Sequence, residues 1–321
     1  MNLMSLNVRG LGGREKIPWV CSLKKFNKVN FLCIQETTKQ GEVDVRGLSN
    51  LWGNRDFGWD AVSSVGQSGG LLCMWDKGIF EFSSSVKKRN FIIIKGRLKG
   101  SNELISVMNV YAPQSIRAKQ ELWDEISAVM VIEAGLWVVV GDFNAVRFRE
   151  ERRNSDFKPV CARNFNTFIH NLGLLEYNMV GNQFTCVRDS GRKLSKIDRV
   201  LVCSNFFNKW PEASLRVLHN LHSDHRPLLL SLSSLNFGHK PFRLFNSWLH
   251  KDGFDEVVRS VAASFSFDGE PDLFLTKKLA FIRSKIKTWR DEMIKKGERK
   301  KRGSGMNWKS WKKSWNVGVC Q

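Results

Sequence analysis

The sequence lacks the features that mark a membrane protein or a disulfide-bonded one. Its longest apolar runs, such as residues 136–140, are far shorter than the roughly 18 residues that a membrane span needs. Its seven cysteines are odd in number, scattered and without a C-x-x-C pair, which argues against a disulfide framework or a zinc ribbon. Residues 1–10 contain no basic segment followed by an apolar one, so we expect no secretory signal. We therefore expect an intracellular protein of the nucleus or the cytoplasm, without a membrane partner.

Acidic residues are also scarce relative to basic ones. The chain has 31 Asp and Glu against 51 Lys and Arg, and its formal net charge is +20. Such an excess raises the local concentration of polyanions and speeds their capture. A generic solubility charge is the plainer interpretation, and a membrane surface is a weaker one because no basic amphipathic segment stands at the start. We favour a nucleic acid, here DNA, as the anionic partner.

The 321 residues, of which 42% are hydrophobic, suffice for a substantial core. Residues 2–233 alternate short apolar segments with turns rich in Gly, Asn, Asp and Ser. The predicted strands are residues 3–7, 31–35, 70–75, 91–98, 104–111, 136–141, 182–187 and 228–232, and the predicted helices are residues 15–26, 116–131 and 162–172. Several strands contain apolar runs of the kind that is buried on both faces. Strands alternating with occasional helices predict an α+β or α/β arrangement of packed sheets flanked by helices.

The character of the chain changes after Leu235. Apolar residues recur at alternating spacings of four and three: Leu275, Leu279, Ile282, Ile286, Trp289 and Met293. This stripe predicts a helix of about five turns that packs on the domain or on a partner. Residues 295–313 are densely basic, and Trp308, Trp311 and Trp315 lie in or near them. That segment could contact phosphates and stack on bases, but a disordered tail is the preferred interpretation. The expected domains are thus residues 1–235, 236–294 and 295–321.

Two candidate site residues follow the first two predicted strands. Asn7 ends the first strand and precedes the turn glycines Gly10 and Gly12; an ordinary strand-to-turn junction would look the same. Glu36 follows the buried strand at residues 31–35, which would hold a metal ligand rigidly. Mg²⁺ prefers one or two carboxylates, although an ordinary exposed glutamate fits the segment equally well.

A third candidate cluster follows the strongly apolar segment at residues 136–140. Asp142 and Asn144 are two residues apart, so an extended backbone would direct both side chains to the same face. A carboxylate there could accept a proton from an attacking water, and an amide could donate to a phosphoryl oxygen. Gly141 permits close approach of the backbone. A merely polar turn is the less attractive interpretation.

The fourth cluster combines a histidine with two carboxylates. His225 follows Asp224 at the head of a predicted buried strand, and Asp198 stands upstream. A carboxylate beside a histidine fixes the imidazole tautomer and stabilises its charged form. His219 and His222 complete a three-histidine ladder that could suggest zinc, a weaker interpretation because no cysteine lies near.

Tyr111 closes the predicted strand at residues 104–111 and precedes a proline. Its hydroxyl could donate a hydrogen bond to a phosphate, or the ring could simply cap the core. The residue alone favours neither role. The chain has only two tyrosines, so the role of this one is easily tested.

Taken together and in this order, six segments resemble the endonuclease/exonuclease/phosphatase superfamily. They are residues 6–10 (Leu-Asn-Val-Arg-Gly), 35–37 (Gln-Glu-Thr), 109–113 (Asn-Val-Tyr-Ala-Pro), 141–144 (Gly-Asp-Phe-Asn), 195–199 (Ser-Lys-Ile-Asp-Arg) and 223–227 (Ser-Asp-His-Arg-Pro). The resemblance spans about residues 2–233. It implies an α+β fold like that of deoxyribonuclease I: a four-layer α/β/β/α sandwich of two packed mixed β-sheets flanked by helices.

Within that superfamily, three segments are similar to the N-terminal part of plant LINE-type (non-LTR) retrotransposon polyproteins. They are residues 7–13, 68–75 and 242–249. In such polyproteins a reverse transcriptase follows, and residues 236–294 would be a helical extension toward it. No such module is visible in this sequence, so we expect a standalone fragment or a degenerate copy, and a monomer.

The resemblance implies a Mg²⁺-dependent endonuclease that nicks DNA and leaves a 3′ hydroxyl, with Mn²⁺ as a substitute ion. Glu36 would bind the ion, with Asn7 and Asp224 close to it. Asp142 would orient or deprotonate the attacking water and Asn144 would help to position it. His225, held by Asp198 or Asp224, would contact the scissile phosphate, and Tyr111 would donate to it as well. The implied DNA contacts are Arg9, Thr185, Ser223 and Arg226.

Two departures from the family pattern limit the resemblance. Abasic-site repair enzymes carry an acidic residue two positions after the first Asn, where this chain has Arg9. The LINE group usually has Trp after Phe-Thr, where this chain has Cys186. The first departure weakens a repair function, and the second affects packing at the DNA surface. Two alternatives stay open: a phosphoesterase of the same fold acting on inositol or lipid phosphates, and a catalytically weak nucleic-acid-binding relic.

Overall fold

A computed structural model describes residues 1–37, 45–64, 69–100, 103–132, 135–232, 246–249 and 251–301. The chain forms two compact units, Met1–Leu235 and Asn236–Gln321, which are described separately. No helix among the described residues has the length and apolar character of a membrane span.

The first unit contains sixteen strands and five α-helices among its described residues. The strands are β1 (Asn2–Asn7), β2 (Phe31–Gln35), β3 (Gly58–Val62), β4 (Leu71–Trp75), β5 (Phe80–Lys87), β6 (Phe91–Leu98), β7 (Glu103–Tyr111), β8 (Leu136–Asp142), β9 (Arg152–Arg153), β10 (Leu175–Glu176), β11 (Met179–Val180), β12 (Cys186–Arg188), β13 (Lys193–Ser195), β14 (Asp198–Val202), β15 (Ser214–Val217) and β16 (Leu228–Ser231). The α-helices are α1 (Lys16–Phe26), α2 (Val45–Trp52), α3 (Ile116–Ile132), α4 (Pro159–Asn171) and α5 (Ser204–Lys209).

Two mixed sheets form the centre of the first unit. A seven-stranded sheet has the order β11-β15-β16-β1-β2-β4-β3, and a six-stranded sheet has the order β10-β14-β8-β7-β6-β5. In the first sheet β1 pairs antiparallel with β16 and parallel with β2. In the second, β7 and β8 are parallel and β8 and β14 are antiparallel. Strands β12, β13 and β9 form a small third sheet.

Side-chain alternation along the strands builds three apolar layers from these two sheets. Leu3 of β1 and Val138 of β8 belong to the core between the sheets. Their neighbours Met4 and Val139 point the other way, into the layers that contain residues of α1 and α2 and of α3 and α4, respectively. Both faces of these strands are buried, which accounts for their unbroken apolar runs. The arrangement is the four-layer α/β/β/α sandwich, so the predicted fold class is confirmed.

One predicted strand is wrong. Residues 182–185 lack regular structure, and the strand there is only β12, Cys186–Arg188. The polar segment follows Gly181, whose φ is +109°. The backbone of Thr185 instead makes single hydrogen bonds to two different segments, from its N–H to Ser195 O and from Arg226 N–H to its carbonyl. This segment therefore connects two parts of the site and does not extend a sheet.

The second unit is helical where it is described. Its helices are α6 (Asn246–Leu249), α7 (Phe254–Ser264) and α8 (Pro271–Lys301). Trp248, Phe254, Ile286 and Trp289 form its small core. The apolar stripe predicted on α8 is only partly buried. Ile286 and Trp289 belong to this core, whereas Leu275 and Leu279 are 57% and 58% exposed. The three tail tryptophans and residues 242–245 lie outside the described residues.

Candidate active site

The candidate catalytic residues of the first unit lie at the ends of paired strands. Asn7 ends β1, and Glu36 comes directly after β2, which runs parallel to β1. In the other sheet, Asp142 at the end of β8 is the register partner of Tyr111 on β7 and of Asp198 on β14. Each sheet thus supplies polar side chains from neighbouring strands.

Asn7 connects the polar side chains of the two sheets by hydrogen bonds. Its Nδ2 donates to Glu36 Oε1 at 2.8 Å and to Asp142 Oδ2 at 3.0 Å. Its Oδ1 accepts a hydrogen bond from the backbone N–H of Arg9 at 3.0 Å, and the side chain has no exposed surface. The nitrogen and the oxygen of the side-chain amide are therefore both hydrogen-bonded within the protein. This arrangement suits a residue that fixes the positions of two carboxylates.

His225 is oriented by Asp198. Both carboxylate oxygens of Asp198 lie 2.9 Å from His225 Nδ1. The other ring nitrogen, Nε2, lies 4.0 Å from Asp142 Oδ2, 3.9 Å from Asp224 Oδ1 and 3.7 Å from Cys186 Sγ. Of the two partners that the sequence left open, Asp198 holds the imidazole, and Nε2 is directed toward the other carboxylates.

The surroundings of His225 favour its charged form. Burial by itself disfavours the imidazolium, but the carboxylates of Asp198 and Asp142 together raise the pKa of His225 well above its ordinary value. Two clusters of potential metal-binding groups contain His225, and neither contains another histidine. His222 packs edge-on against Trp19 instead. The described residues thus give no support to the three-histidine zinc site.

Asp142 is the most strongly perturbed carboxyl group of the site. Burial raises its pKa from 3.8 to about 7. The charge of His225 opposes this rise, the charge of Asp198 adds to it, and hydrogen bonds from the Asn144 N–H and Asn7 oppose it. A carboxylate that titrates near neutral pH can accept a proton from water during a reaction.

Asn144 reaches the site by a turn, which corrects the expectation of an extended backbone. Its φ is +47°, and its backbone N–H donates to Asp142 Oδ1 at 2.9 Å. Its Nδ2 donates to Ala112 O at 2.8 Å, and its Oδ1 accepts from Gln114 Nε2 at 2.9 Å. Gly141 is required just before the turn, because a Cβ there would lie 2.0 Å from the carbonyl oxygen of Val110.

Tyr111 lies beside Glu36 and retains its proton. Burial raises the pKa of the Tyr111 hydroxyl, and the charge of Glu36 and a hydrogen bond with that carboxylate raise it further. The hydroxyl is therefore a hydrogen-bond donor at neutral pH, and its one proton is directed to Glu36. A contact with a phosphate would require this proton to turn from Glu36 to a phosphate oxygen.

The four residues expected to contact DNA differ in exposure. The side chain of Arg9 is 57% exposed and pairs with Asp224 Oδ2 at 2.9 Å. Arg226 is half-buried, with Nε 3.3 Å from Asn220 Oδ1. Ser223 connects Asn7 and His225, since its Oγ donates to Asn7 O at 2.7 Å and accepts from the backbone N–H of His225 at 3.1 Å.

Thr185 requires a correction. Its side chain has no exposed surface, so it offers nothing to a DNA strand. Its Oγ1 accepts hydrogen bonds from the backbone N–H groups of Ile197 and Asp198, at 3.1 Å and 3.0 Å. Thr185 therefore fixes the start of β14, where Asp198 stands.

The structure adds Arg188, which the sequence did not single out. Its Nε lies 3.5 Å from Asp224 Oδ2, and half of its side chain is exposed. Its charge lowers the pKa of Tyr111, opposing the larger effects of burial and Glu36. Arg188 thus provides an exposed positive charge at the edge of the site.

The oxygen groups present are suitable for a hard divalent cation. Among the described residues, Asp224 Oδ1 is buried and has no hydrogen-bond partner, and an unpartnered carboxylate oxygen is well suited to a cation. Among the described residues, neither cluster of potential metal-binding groups contains Glu36. Asn7 Oδ1 already accepts the Arg9 N–H, so Asn7 in this arrangement orients Glu36 more directly than it could bind an ion.

Solved structures define the class to which this fold belongs. The AP endonuclease LMAP from Leishmania major superimposes with a TM-score of 0.56 at 14% identity, over 71% of this chain and 86% of that one. The Neisseria 3′ phosphatase NExo, solved with a product DNA hairpin, gives 0.53 at 19% identity, over 73% and 99%. The endonuclease domain of TRAS1, a telomere-specific non-LTR retrotransposon, gives 0.53 at 15% identity, over 71% and 96%. The fold is that of endonuclease/exonuclease/phosphatase proteins.

A family model gives a narrower result. Residues 105–229 match the family described as endonuclease-reverse transcriptase. The matched segment runs from β7 to β16 and contains Tyr111, Asp142, Asn144, Asp198 and His225. The curated proteins searched contain no match to this chain.

Proposed function

We propose that this protein is a Mg²⁺-dependent endonuclease that hydrolyses phosphodiester bonds in DNA. The observation that carries the proposal is the buried dyad in which both oxygens of Asp198 lie 2.9 Å from His225 Nδ1. It leaves His225 Nε2 facing Asp142, a carboxyl with a pKa of about 7. A charged donor and a proton acceptor thus stand together, as hydrolysis of a phosphate ester requires.

The side chains have complementary tasks in this proposal. Asp142 orients the attacking water and takes its proton. Asn7 fixes the positions of the Asp142 and Glu36 carboxylates by hydrogen bonds to both. His225 donates through Nε2 to an oxygen of the scissile phosphate and stabilises charge in the transition state. Tyr111 donates to another oxygen. A Mg²⁺ ion bound by Glu36 and Asp224 would neutralise charge on the phosphate.

We further propose that the reaction is the nicking step of a LINE-type element, which leaves a 3′ hydroxyl for reverse transcription. The description of the matched family and the similarity to the TRAS1 endonuclease domain support this context. The formal charge of +20 suits a DNA partner. In this proposal the second unit is an extension toward a reverse transcriptase module, and the active species is a monomer.

The test is nicking of supercoiled plasmid with Mg²⁺ by wild-type protein and by Asp142→Asn and His225→Ala. The matched controls are Asp124→Asn and His170→Ala, which change exposed residues on α3 and α4. We expect both site variants to lose about 10²- to 10³-fold in rate, the usual effect of removing one preorganised group, and EDTA to stop the reaction. Site variants as active as the controls would refute the proposal. A folded protein that binds DNA but never nicks it would be a binding relic.

A substrate panel addresses the other phosphoesters that this fold hydrolyses. The 3′ phosphatase NExo has this fold, so a 3′-phosphorylated oligonucleotide belongs in the panel, together with an inositol polyphosphate. We expect the internal DNA diester to have the highest kcat/KM. A higher value for either monoester would favour the phosphoesterase alternative.

A further inference from the structure

A strongly basic cavity of about 170 Å³ opens beside the candidate active site. We name it the basic pocket, and it is defined by Lys119, Arg152, Lys158, Arg188 and Lys193. Its remaining lining residues include Asn144, and none of them carries a carboxylate. Five cations therefore line one cavity without an acidic residue in its wall. Two of them pair with carboxylates outside the wall: Arg188 with Asp224 at 3.5 Å and Lys193 with Asp189 at 2.7 Å.

Several groups around the basic pocket are left without partners. Among the described residues, Arg152 Nε and Ser155 Oγ are buried atoms with no hydrogen bond, and no ion pair is formed by Arg152 or Lys158. Lys119 is 5% exposed and is held by Asn144 O at 2.7 Å and Cys161 Sγ at 3.6 Å. Unsatisfied buried donors are costly, so Arg152 Nε and Ser155 Oγ indicate that the cavity takes a hydrogen-bond acceptor.

The start of helix α4 adds to this positive field. The helix begins at Pro159, and Cys161 and Ala162 of its first turn line the basic pocket. Lys158 precedes the helix and provides no side-chain cap. The free N–H groups and the dipole of a helix N-terminus favour an anion. The 13-residue helix and the five cations thus act in the same direction.

The charges of the basic pocket also repel one another. Burial lowers the pKa of Lys119, and the charges of Arg152 and Lys158 lower it further, whereas the thiol of Cys161 opposes these effects. An anion bound among these side chains would relieve the repulsion.

We propose that the basic pocket binds a phosphate group of the nucleic acid other than the one that is cleaved. The inference rests on the proposed endonuclease function, because Asn144 and Arg188 belong to both the pocket and the active site. Because the pocket and the active site share these residues, the bound phosphate would lie near the scissile phosphate on the nucleic-acid strand. A phosphate ester matches the site because its several oxygens can accept from Arg152 and Ser155 together, while the helix dipole favours its charge.

The deciding variant is Arg152→Gln, with Arg153→Gln as its matched control. The two arginines are neighbours on β9, but Arg152 lines the basic pocket and Arg153 is exposed outside it. Binding of a labelled duplex is measured in EDTA, so that no turnover is needed. We expect Arg152→Gln to bind about tenfold more weakly and to lower the slope of log K against log salt by about 0.9, the contribution of one phosphate contact. Arg153→Gln should keep both values of the wild type.

A second variant, Lys158→Gln, covers the case that Arg152→Gln does not fold, because Lys158 is exposed at the start of α4. The bound phosphate is then located by replacing single phosphates near the nick with uncharged methylphosphonates. One replacement should weaken wild-type binding about tenfold and leave Arg152→Gln or Lys158→Gln unaffected. Losses that simply multiply at every position would overturn the proposal.

The source of the phosphate is distinguished by the substrate. A duplex with a pre-formed nick carries either a terminal phosphate or a terminal hydroxyl at the nick. If the pocket takes an internal phosphate, the two ends bind equally well; if it takes a terminal phosphate, the phosphorylated end binds about tenfold better and only when Arg152 is present. Both results support the site. Equal losses for Arg152→Gln and Arg153→Gln would refute it even if plasmid nicking succeeds, and pocket-dependent binding would stand even if nicking fails.

Discussion

Gln35 and Asn109 link the two β-sheets through the core, with Gln35 Nε2 donating to Asn109 Oδ1 at 2.6 Å. Neither side chain has any exposed surface. Asn109, on the six-stranded sheet, also donates to Ile34 O at 3.0 Å and Leu72 O at 3.3 Å in the seven-stranded sheet. Because Glu36 follows Gln35 directly, this link sets the distance between the two halves of the site.

Replacing Asn109 should therefore destabilise the fold more than a surface change would. We expect Asn109→Ala to lower the free energy of unfolding by about 1–3 kcal/mol, since it removes three buried hydrogen bonds between the sheets. Gln35 Nε2 would keep only its contacts with Ser5 Oγ at 3.1 Å and Cys33 O at 3.4 Å. Urea unfolding measures the effect, with Ser84→Ala on the exposed part of β5 as the control. An equal loss in the two variants would contradict this account of the link.

Thr185→Val tests whether Thr185 supports Asp198 and does not contact DNA. The valine keeps the shape but removes the acceptor of two backbone N–H groups, at Ile197 and Asp198. We expect a loss of about 1–3 kcal/mol in stability, a fall in kcat and unchanged DNA affinity. The control is Thr167→Val on the exposed face of α4. Weaker DNA binding at unchanged kcat would restore the original expectation of a DNA contact.

Of the three aspartates near His225, Asp198 and Asp224 should respond differently to magnesium. Asp198 holds the imidazole, so we expect Asp198→Asn to lower kcat about 10²-fold or more at every Mg²⁺ concentration. Asp224 has an unpartnered oxygen, so Asp224→Asn should raise the Mg²⁺ concentration for half-maximal nicking by about tenfold or more. Magnesium titrations of both variants, with Asp124→Asn alongside, measure this. The assignment fails if the Mg²⁺ requirement shifts for Asp198→Asn instead.

A buried ion-pair network should control unfolding in acid. Arg199 is fully buried; its Nη1 lies 2.9 Å from Glu176 Oε2, and its Nη2 contacts Glu151. Burial of Glu176 opposes ionisation, but Arg199 and Lys196 lower the pKa of Glu176 below its ordinary 4.5. The stability from this carboxylate is therefore fully present above pH 4.5 and is lost as the pH falls through the lower, folded-state value.

Glu176→Gln should accordingly cost stability at pH 7 and flatten the acid limb of the stability curve. We expect a loss of about 3–5 kcal/mol at pH 7, because Arg199 keeps its charge and loses one of its buried partners. Urea unfolding between pH 3 and pH 7 measures both effects. Glu103→Gln is the control, since Glu103 makes only a partly exposed pair with Lys209 and should cost about 0–1 kcal/mol. A parallel pH dependence of wild type and Glu176→Gln would contradict the role of this network.

The sequence predicted the parts of the fold that are buried on both faces. Strands β2 and β6 have the predicted bounds because each begins with four consecutive apolar residues, a pattern that favours a buried strand. Strand β5 was missed because four consecutive exposed residues, from Glu81 to Ser84, interrupt its apolar pattern. Its pairing with β6 creates the strand, and that neighbour is not encoded in the local sequence.

The structure brings together residues that the sequence singled out, but part of their geometry differs from the expectation. Strand ends with polar side chains identified Asn7, Asp142 and His225, because a buried strand must deliver such groups to an edge. The left-handed turn at Asn144 and the buried position of Thr185 could not be predicted. Both depend on contacts between segments distant in sequence, and Thr185 precedes strands of only three residues whose pairing follows from the tertiary fold.

The position of β1 has a consequence for synthesis of the protein. Strand β1 lies between β2, which follows within the next 30 residues, and β16, which ends at Ser231. Until that last strand emerges, one edge of β1 has no partner, and His225 has not yet reached Asp198. A nascent chain interrupted anywhere before β16 carries most of the candidate catalytic groups but cannot assemble them. Under the proposed function, nicking would require that translation has passed β16, so shorter translation products would not cut DNA.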